Sequence, residues 1–241
     1  MFTTLLVALS TVIAADTDLE AKAVIRKWAE ARKDVHAVHV TFDCFQYDMV
    51  FRSPDQPEIS SGEVHFTSRT NGFWSDGPKK AKDGDVKRGT RFIWKDDTIT
   101  IVDEEKKRYD QGPRDTSVFG WQLFPYVNAS SPFLPGLPDK TALDGWKFTI
   151  LADSDDEVML EGVPPKTMAK RFRGCQLILR KPDMTLHAVQ YVNPNGKDRS
   201  VFVFKDVKHN PEKMPDVDLS EYTARSIFLP SAYLSSDGAK Q

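Results

Sequence analysis

The stretch Gly174–Asn210, GCQLILRKPDMTLHAVQYVNPNGKDRSVFVFKDVKHN, decides the fold. It reads as three β-strands joined by two tight turns. Pro182-Asp183 breaks the first run and Asn193-Pro194-Asn195-Gly196 the second. Proline presets φ for a turn, and Asn and Gly tolerate the positive φ that tight turns require. Between the breaks, apolar residues occupy both faces. Leu177 and Leu179 alternate with Ile178, Leu186 and Ala188 with Val189 and Tyr191, and Val201 and Val203 with Phe202 and Phe204. A meander facing water on one side alternates apolar with polar residues. This one calls for cover on two sides.

Outward from the meander, the same signals recur. Val38–Phe51 is twice the usual strand length and changes apolar parity. Val38, Val40, Phe42 and Cys44 share one face, and Phe45, Tyr47, Met49 and Phe51 the other, which predicts a bulge near Cys44-Phe45. Strands are also expected over Glu63–Arg69, Gly72–Ser75, Arg91–Trp94, Thr98–Val102, Trp146–Leu151 and Glu157–Glu161. Gly77–Gly89, GPKKAKDGDVKRG, reads as an exposed loop, and Glu104–Arg108 as a solvated charge run. Leu19–Lys33 predicts an amphipathic helix capped by Asp18, with Leu19, Ala23, Trp28 and Ala31 near one stripe.

Residues 117–138 differ from the rest. They are aromatic, proline-broken and poor in charge, and Val118, Trp121 and Phe124 predict a short helix ending before Pro125. The segment 211–241 reads as a surface-wrapping tail. Strands do not alternate with full helices, which argues against a parallel α/β sheet. The fold class expected is α+β, mainly β: one strongly curved antiparallel sheet, an incomplete barrel, covered by the N-terminal helix and the helical insert.

The N-terminal residues 1–15, MFTTLLVALSTVIAA, are apolar, too short to anchor in a ~30 Å hydrocarbon core, and end in small residues. They read as a signal peptide, leaving 16–241 as a single exported, soluble domain of the periplasm or cell envelope. A net charge of −2 and a pI near 6.2 argue against nucleic-acid binding. Cys44 and Cys175 read as free buried thiols, with one disulfide the alternative. The chain contains no GxSxG, HExxH or GxxxxGK[ST] motif, and the expectation is a protein that is not an enzyme. No cofactor or metal is expected. His36 and His39 fall on opposite strand faces, Glu63 and His65 read as a solvated pair, and Asp153, Asp155 and Asp156 read as a surface turn without calcium-loop spacing.

The order of elements, and above all AVQYVNPNGKDRSVFVFKDVKHNP, resembles the LolA-like group of periplasmic lipoprotein carriers. Asn195-Gly196, Phe204, Asp206, Val207 and Asn210 match that group's closing strands. Val40-Thr41-Phe42 and Gly62-x-Val64-x-Phe66 match its opening ones more loosely. The charged 77–89 loop and the aromatic 117–138 insert depart from it.

The resemblance implies an open barrel whose apolar cavity accepts acyl chains beneath a helical lid. Val40, Phe42, Phe66, Trp74, Trp94, Val189, Tyr191 and Phe202 are then the candidate cavity wall, and Trp121 and Phe124 the lid. Implied partners are an acyl chain or lipoprotein cargo and membrane-associated donor or acceptor proteins, with a monomeric chain. The alternative is a non-catalytic interaction module whose insert docks a protein partner.

Overall fold

The computed structural model describes residues 18–48, 57–67, 71–77, 79–80, 86–87, 89–96, 98–113, 145–167, 169, 173–212 and 218–224. Residues 1–15, the 117–138 insert with Trp121 and Phe124, and Met49 and Phe51 lie outside that set.

Helix α1 (18–31) matches its predicted stripe in part. Of the four stripe residues only Trp28 is buried, together with Ala21, Ile25 and Ala29, while Leu19, at 65%, Ala23 and Ala31 are exposed. The Asp18 carboxylate ion-pairs with Lys22 one turn on. Past the helix end, Arg32 is buried and donates to Thr185 Oγ1 at 2.7 Å, and Asp183 in turn accepts from Thr185. This chain of polar contacts fastens the helix to the first turn of the meander, between Arg180 and Thr185.

Strands β1 (Val38–Tyr47), β2 (Glu58–Phe66), β3 (Asn71–Asp76), β6 (Thr90–Lys95), β7 (Thr98–Asp103), β8 (Arg108–Pro113), β9 (Lys147–Asp153), β10 (Glu157–Val163), β11 (Gly174–Arg180), β12 (Thr185–Val192), β13 (Arg199–His209) and β14 (Thr223–Ala224) form one sheet of 12 strands. Its order is β14-β8-β7-β6-β3-β2-β1-β13-β12-β11-β10-β9. Neighbours are antiparallel except β14, which runs parallel to β8. A separate two-stranded ribbon, β4 (Lys79–Lys80) with β5 (Val86–Lys87), stands within the segment expected as a plain loop.

The deciding stretch folds as β11, β12 and β13. Asn195 Oδ1 accepts from the backbone N–H groups of Lys197 and Asp198, and Gly196 takes φ +70° in the same turn. A cross-strand irregularity between β11 and β12 lets Leu186 pair with Leu179, and Val189 and Tyr191 with Leu177 and Cys175, all on the buried side.

The bulge expected near Cys44-Phe45 is absent, and an irregularity lies instead in β13, opposite Val40. β1 pairs with β2 without a slip from Val38 to Gln46. Its register with β13 shifts between His39↔Lys208 and Thr41↔Lys205, so Asp206 and Val207 together face Val40. Asp206 adopts φ +44°, and its carboxylate accepts from the Thr41 hydroxyl. The break in parity that the sequence placed at Cys44-Phe45 is therefore not a bulge: Phe45 simply points to the half-buried face.

One core cluster joins α1, Phe92 and Trp94 of β6 and Ile99 of β7 with Phe148 of β9 and Leu160 of β10. Strands β7 and β9 are nine positions apart in the sheet order. At about 4.8 Å per spacing, a flat sheet would hold them about 43 Å apart. The sheet is instead curved, and its inner face shares one core with α1.

Candidate functional site

The concave face is built by the pleat. Alternate residues on each strand point inward, and the register sets their neighbours. Val40 is fully buried and Phe42 and Phe66 nearly so, while Trp74 at 9% is the most exposed of the eight predicted wall residues. The rest, Trp94, Val189, Tyr191 and Phe202, are buried as well. All eight share the inner face and belong to one cluster with Ala21, Ile25 and Trp28 of the helix.

Their rings interlock. Phe42 lies 4.4 Å from Trp74 and 5.6 Å from Phe202, edge-on in the second case, and Phe66 lies 5.3 Å from Trp94. Tyr191 meets Phe202 edge-to-face at 6.3 Å. Aromatic pairs at such separations add about 0.5–1.5 kcal/mol beyond the area they bury.

Glycines make room for these rings. Gly62 sits opposite Phe42 and Gly72 opposite Trp94 in the register. A Cβ at either would stand 2.5 Å from a ring carbon. Gly162 repeats the pattern under Phe148 and Cys175. The inner face is thus closely packed where these strands meet. Cys44 and Cys175 are buried and not joined in a disulfide, and burial pushes the Cys175 thiol far above its ordinary range, leaving it inert as a nucleophile.

The convex face brings together polar residues that no sequence pattern joins. His39 and His65 stand opposite one another in the β1–β2 register, and their rings stack at 3.7 Å. Glu63, on the same face as His65, reaches both: its Oε2 lies 3.4 Å from His39 Nε2 and 3.3 Å from His65 Nε2. Burial, then the neighbouring His39, holds the His65 imidazole below its usual protonation range. The sequence paired Glu63 with His65 but left His39 out, because nothing local to either strand specifies their register. His36, weighed as its partner, is exposed and engaged instead through its backbone N–H with Asn210 Oδ1.

From His65 a groove of about 720 Å³ runs along the same face past Phe73, Ile93, Thr100 and Gln111 to Leu219 of the tail. The Asp153–Asp156 segment is the β9–β10 hairpin turn expected of it, closed by Ser154 bonding with Glu157.

No family model and no curated protein matches the sequence. Solved structures do. The chain is similar to the Mycobacterium tuberculosis lipoprotein LppX at 13% identity and a TM-score of 0.47, over 83% of this chain and 100% of that one. It is similar to a DUF1329 family protein from Desulfovibrio piger at 10% identity and a TM-score of 0.43, over 80% and 95%. With the LolA superfamily protein NE2245 from Nitrosomonas europaea the identity is 11% and the TM-score 0.36, over 84% and 97%. The solved neighbours of this chain thus include the LolA superfamily, the group that its sequence resembles.

Proposed function

We propose that this protein is a carrier or binding protein for an apolar ligand of the cell envelope, with an acyl chain or an acylated protein as its cargo. The observation that carries the reading is the mismatch between the concave face and its helical cover. Helix α1 (18–31) is about 21 Å long and about 10 Å wide. The apolar face that it lies on gathers residues from β7 to β9. The helix meets that face through Ala21, Ile25 and Trp28, a small part of it. A removable cover over the remainder is what a carrier needs.

The energetics fit. Burying one CH₂ contributes about 0.8 kcal/mol, so an acyl chain moving from a bilayer to an aromatic-lined interior changes its free energy little. Transfer is then governed by access. We assign access to the 117–138 segment, whose Trp121 and Phe124 are the apolar residues that a lid requires. The eight wall residues are the proposed contact surface. Export follows in this reading from the apolar 1–15 segment, and no helix among the described residues is long and apolar enough to cross a membrane.

The test is native mass spectrometry of the full chain purified from its own cell envelope, followed by displacement titrations with a fluorescent fatty acid. Co-purifying lipid and saturable one-site probe binding are expected. A ligand-free protein that takes up no probe would overturn the reading.

A further inference from the structure

The convex face carries a cluster that acyl binding does not use. His39 on β1 and His65 on β2 are directly opposed, and Glu63 precedes His65 by two residues, so the pleat puts all three side chains on one side. The carboxylate oxygen and the two ring nitrogens lie within 4.8 Å of one another. Across the flanking strands stand Lys208 on β13, opposite His39, and Ser75 and Phe73 on β3, opposite Glu63 and His65. Glu63 is thus the acid among the side chains opposed to these three in the register.

Two observations separate this cluster from an ordinary polar strand pair. His39 Nε2 is buried and 3.4 Å from the carboxylate, yet it is not aligned to hydrogen-bond. A buried polar atom left without a partner costs about 1–3 kcal/mol. The spacing is the second. Zinc held at 2.0–2.1 Å from imidazole nitrogen and 2.0–2.2 Å from a carboxylate oxygen requires donor atoms about 3.3 Å apart at the edges of a tetrahedron. The two nitrogen–oxygen separations here are 3.3 and 3.4 Å.

We propose that His39, Glu63 and His65 form a binding site for a divalent cation of the zinc class, clipping β1 to β2 and leaving the fourth position open to water or an external ligand. Two imidazoles with one carboxylate are the donor set such ions favour. Access is graded in the right sense. The side chain of His65 is 4% exposed and wedged 4.3 Å from Phe73, which makes it the fixed ligand. Those of His39 and Glu63 are 21% and 43% exposed, so an ion reaches them from solvent without unfolding. Stacked rings aim their lone pairs side by side. Capture therefore turns the more exposed His39 ring until its Nε2 converges with that of His65.

The experiment uses the full chain, free of any histidine tag and stripped with a chelator. Zinc is titrated in competition with a chromophoric chelator, melting is followed with and without zinc, and cobalt is added as a spectroscopic probe. One zinc per chain, a raised melting temperature and visible cobalt absorption are expected. His39→Gln and Glu63→Gln should each weaken zinc binding by about tenfold or more and shrink the melting shift, whereas His36→Gln, at an exposed histidine outside the cluster, should change neither. Melting without zinc checks that the variants fold. Absence of saturable zinc binding and of cobalt absorption in the parent, or variants that bind as tightly as the parent, would overturn the proposal.

Discussion

Asn210 shows how a matched motif becomes a physical device. It ends β13 at φ +48°, a conformation that Asn tolerates better than most residues. Its Oδ1 accepts from the backbone N–H groups of His36 and Ala37 at 2.9 and 3.1 Å, and its Nδ2 donates to the Asp34 carbonyl at 3.0 Å. One side chain therefore ties the helix–β1 connection to the far end of the sheet's central strand pair. Asn210→Ala loses these bonds and places a Cβ residue with no compensating contact at positive φ, for an expected loss of about 3 kcal/mol in urea unfolding. Asn210→Gly keeps the φ and loses only the bonds, so it should cost about 1 kcal/mol less. Equal losses would show that the backbone conformation contributes nothing. The match of Asn210 was legible in the sequence, but its partners were not, because they lie at the opposite end of the chain.

His209 belongs to the same scale and gives a pH dependence. Burial, then the Arg32 guanidinium, holds its imidazole below the ordinary value of 6.5, with Asp183 opposing. The folded state therefore disfavours the proton that the unfolded chain accepts. This contribution to stability is intact above about pH 6.5 and is lost as the pH falls through the lower folded value. His65 is shifted the same way, so both slopes add. Urea midpoints measured from pH 8 to pH 5 should fall, and His209→Gln should flatten part of the decline. A variant with the parent's full slope would remove His209 from the account.

At the scale of elements, the sequence exposed strands in proportion to how apolar they are. The meander, β6 and β7 announced themselves by alternation, and their observed limits differ from the expected ones by a residue or two. β8 was missed because Arg108–Pro113, RYDQGP, is polar throughout, its pairing supplied by β7 rather than by its own pattern. β14 was missed because a two-residue parallel bridge has no periodicity to detect.

Yet β14 is held firmly. The Tyr222 hydroxyl donates to Glu104, Lys107 lies 4.5 Å over the Tyr222 ring, and Glu104 also pairs with Arg91 at 3.0 Å. An edge strand left unpaired exposes a row of backbone donors and acceptors. Truncation after residue 217 should therefore speed amide exchange over residues 108–113 while leaving β11 and β12 protected. Unchanged exchange in β8 would mean that its pairing with β7 alone sets its protection. Helix α1 gives the complementary case: Trp28 is fully buried, and Trp28→Ala should cost about 3–5 kcal/mol in the same unfolding assay.

For the whole molecule, curvature is the property that the meander's two apolar faces encoded. The inner set, Leu177, Leu179, Val189, Tyr191 and Phe202, is buried in the single core, whereas Ile178, Val201 and Val203 on the outer set are only half-buried. The demand for cover on two sides was thus strong on one side and weak on the other. The His39–Glu63–His65 cluster was illegible for the same reason that the fold was legible: alternation fixes which face a residue takes, but not which residue of the neighbouring strand it meets.

What remains is whether the aromatic 117–138 segment is removable cover or fixed core, and the two give opposite outcomes. Replacing it with a Gly/Ser linker of equal length removes Trp121, Phe124 and their aromatic neighbours from the chain. If the segment is a lid, the sheet and α1 still hold each other through Trp28, Arg32 and the interlocked rings, so unfolding stays cooperative. An environment-sensitive apolar dye should then bind more strongly, and fatty-acid probes should exchange faster. If it is core, its loss leaves a cavity, and cavities cost about 24 cal/mol per Å³. Cooperative unfolding would then broaden or disappear, and the carrier reading would lose its route of entry.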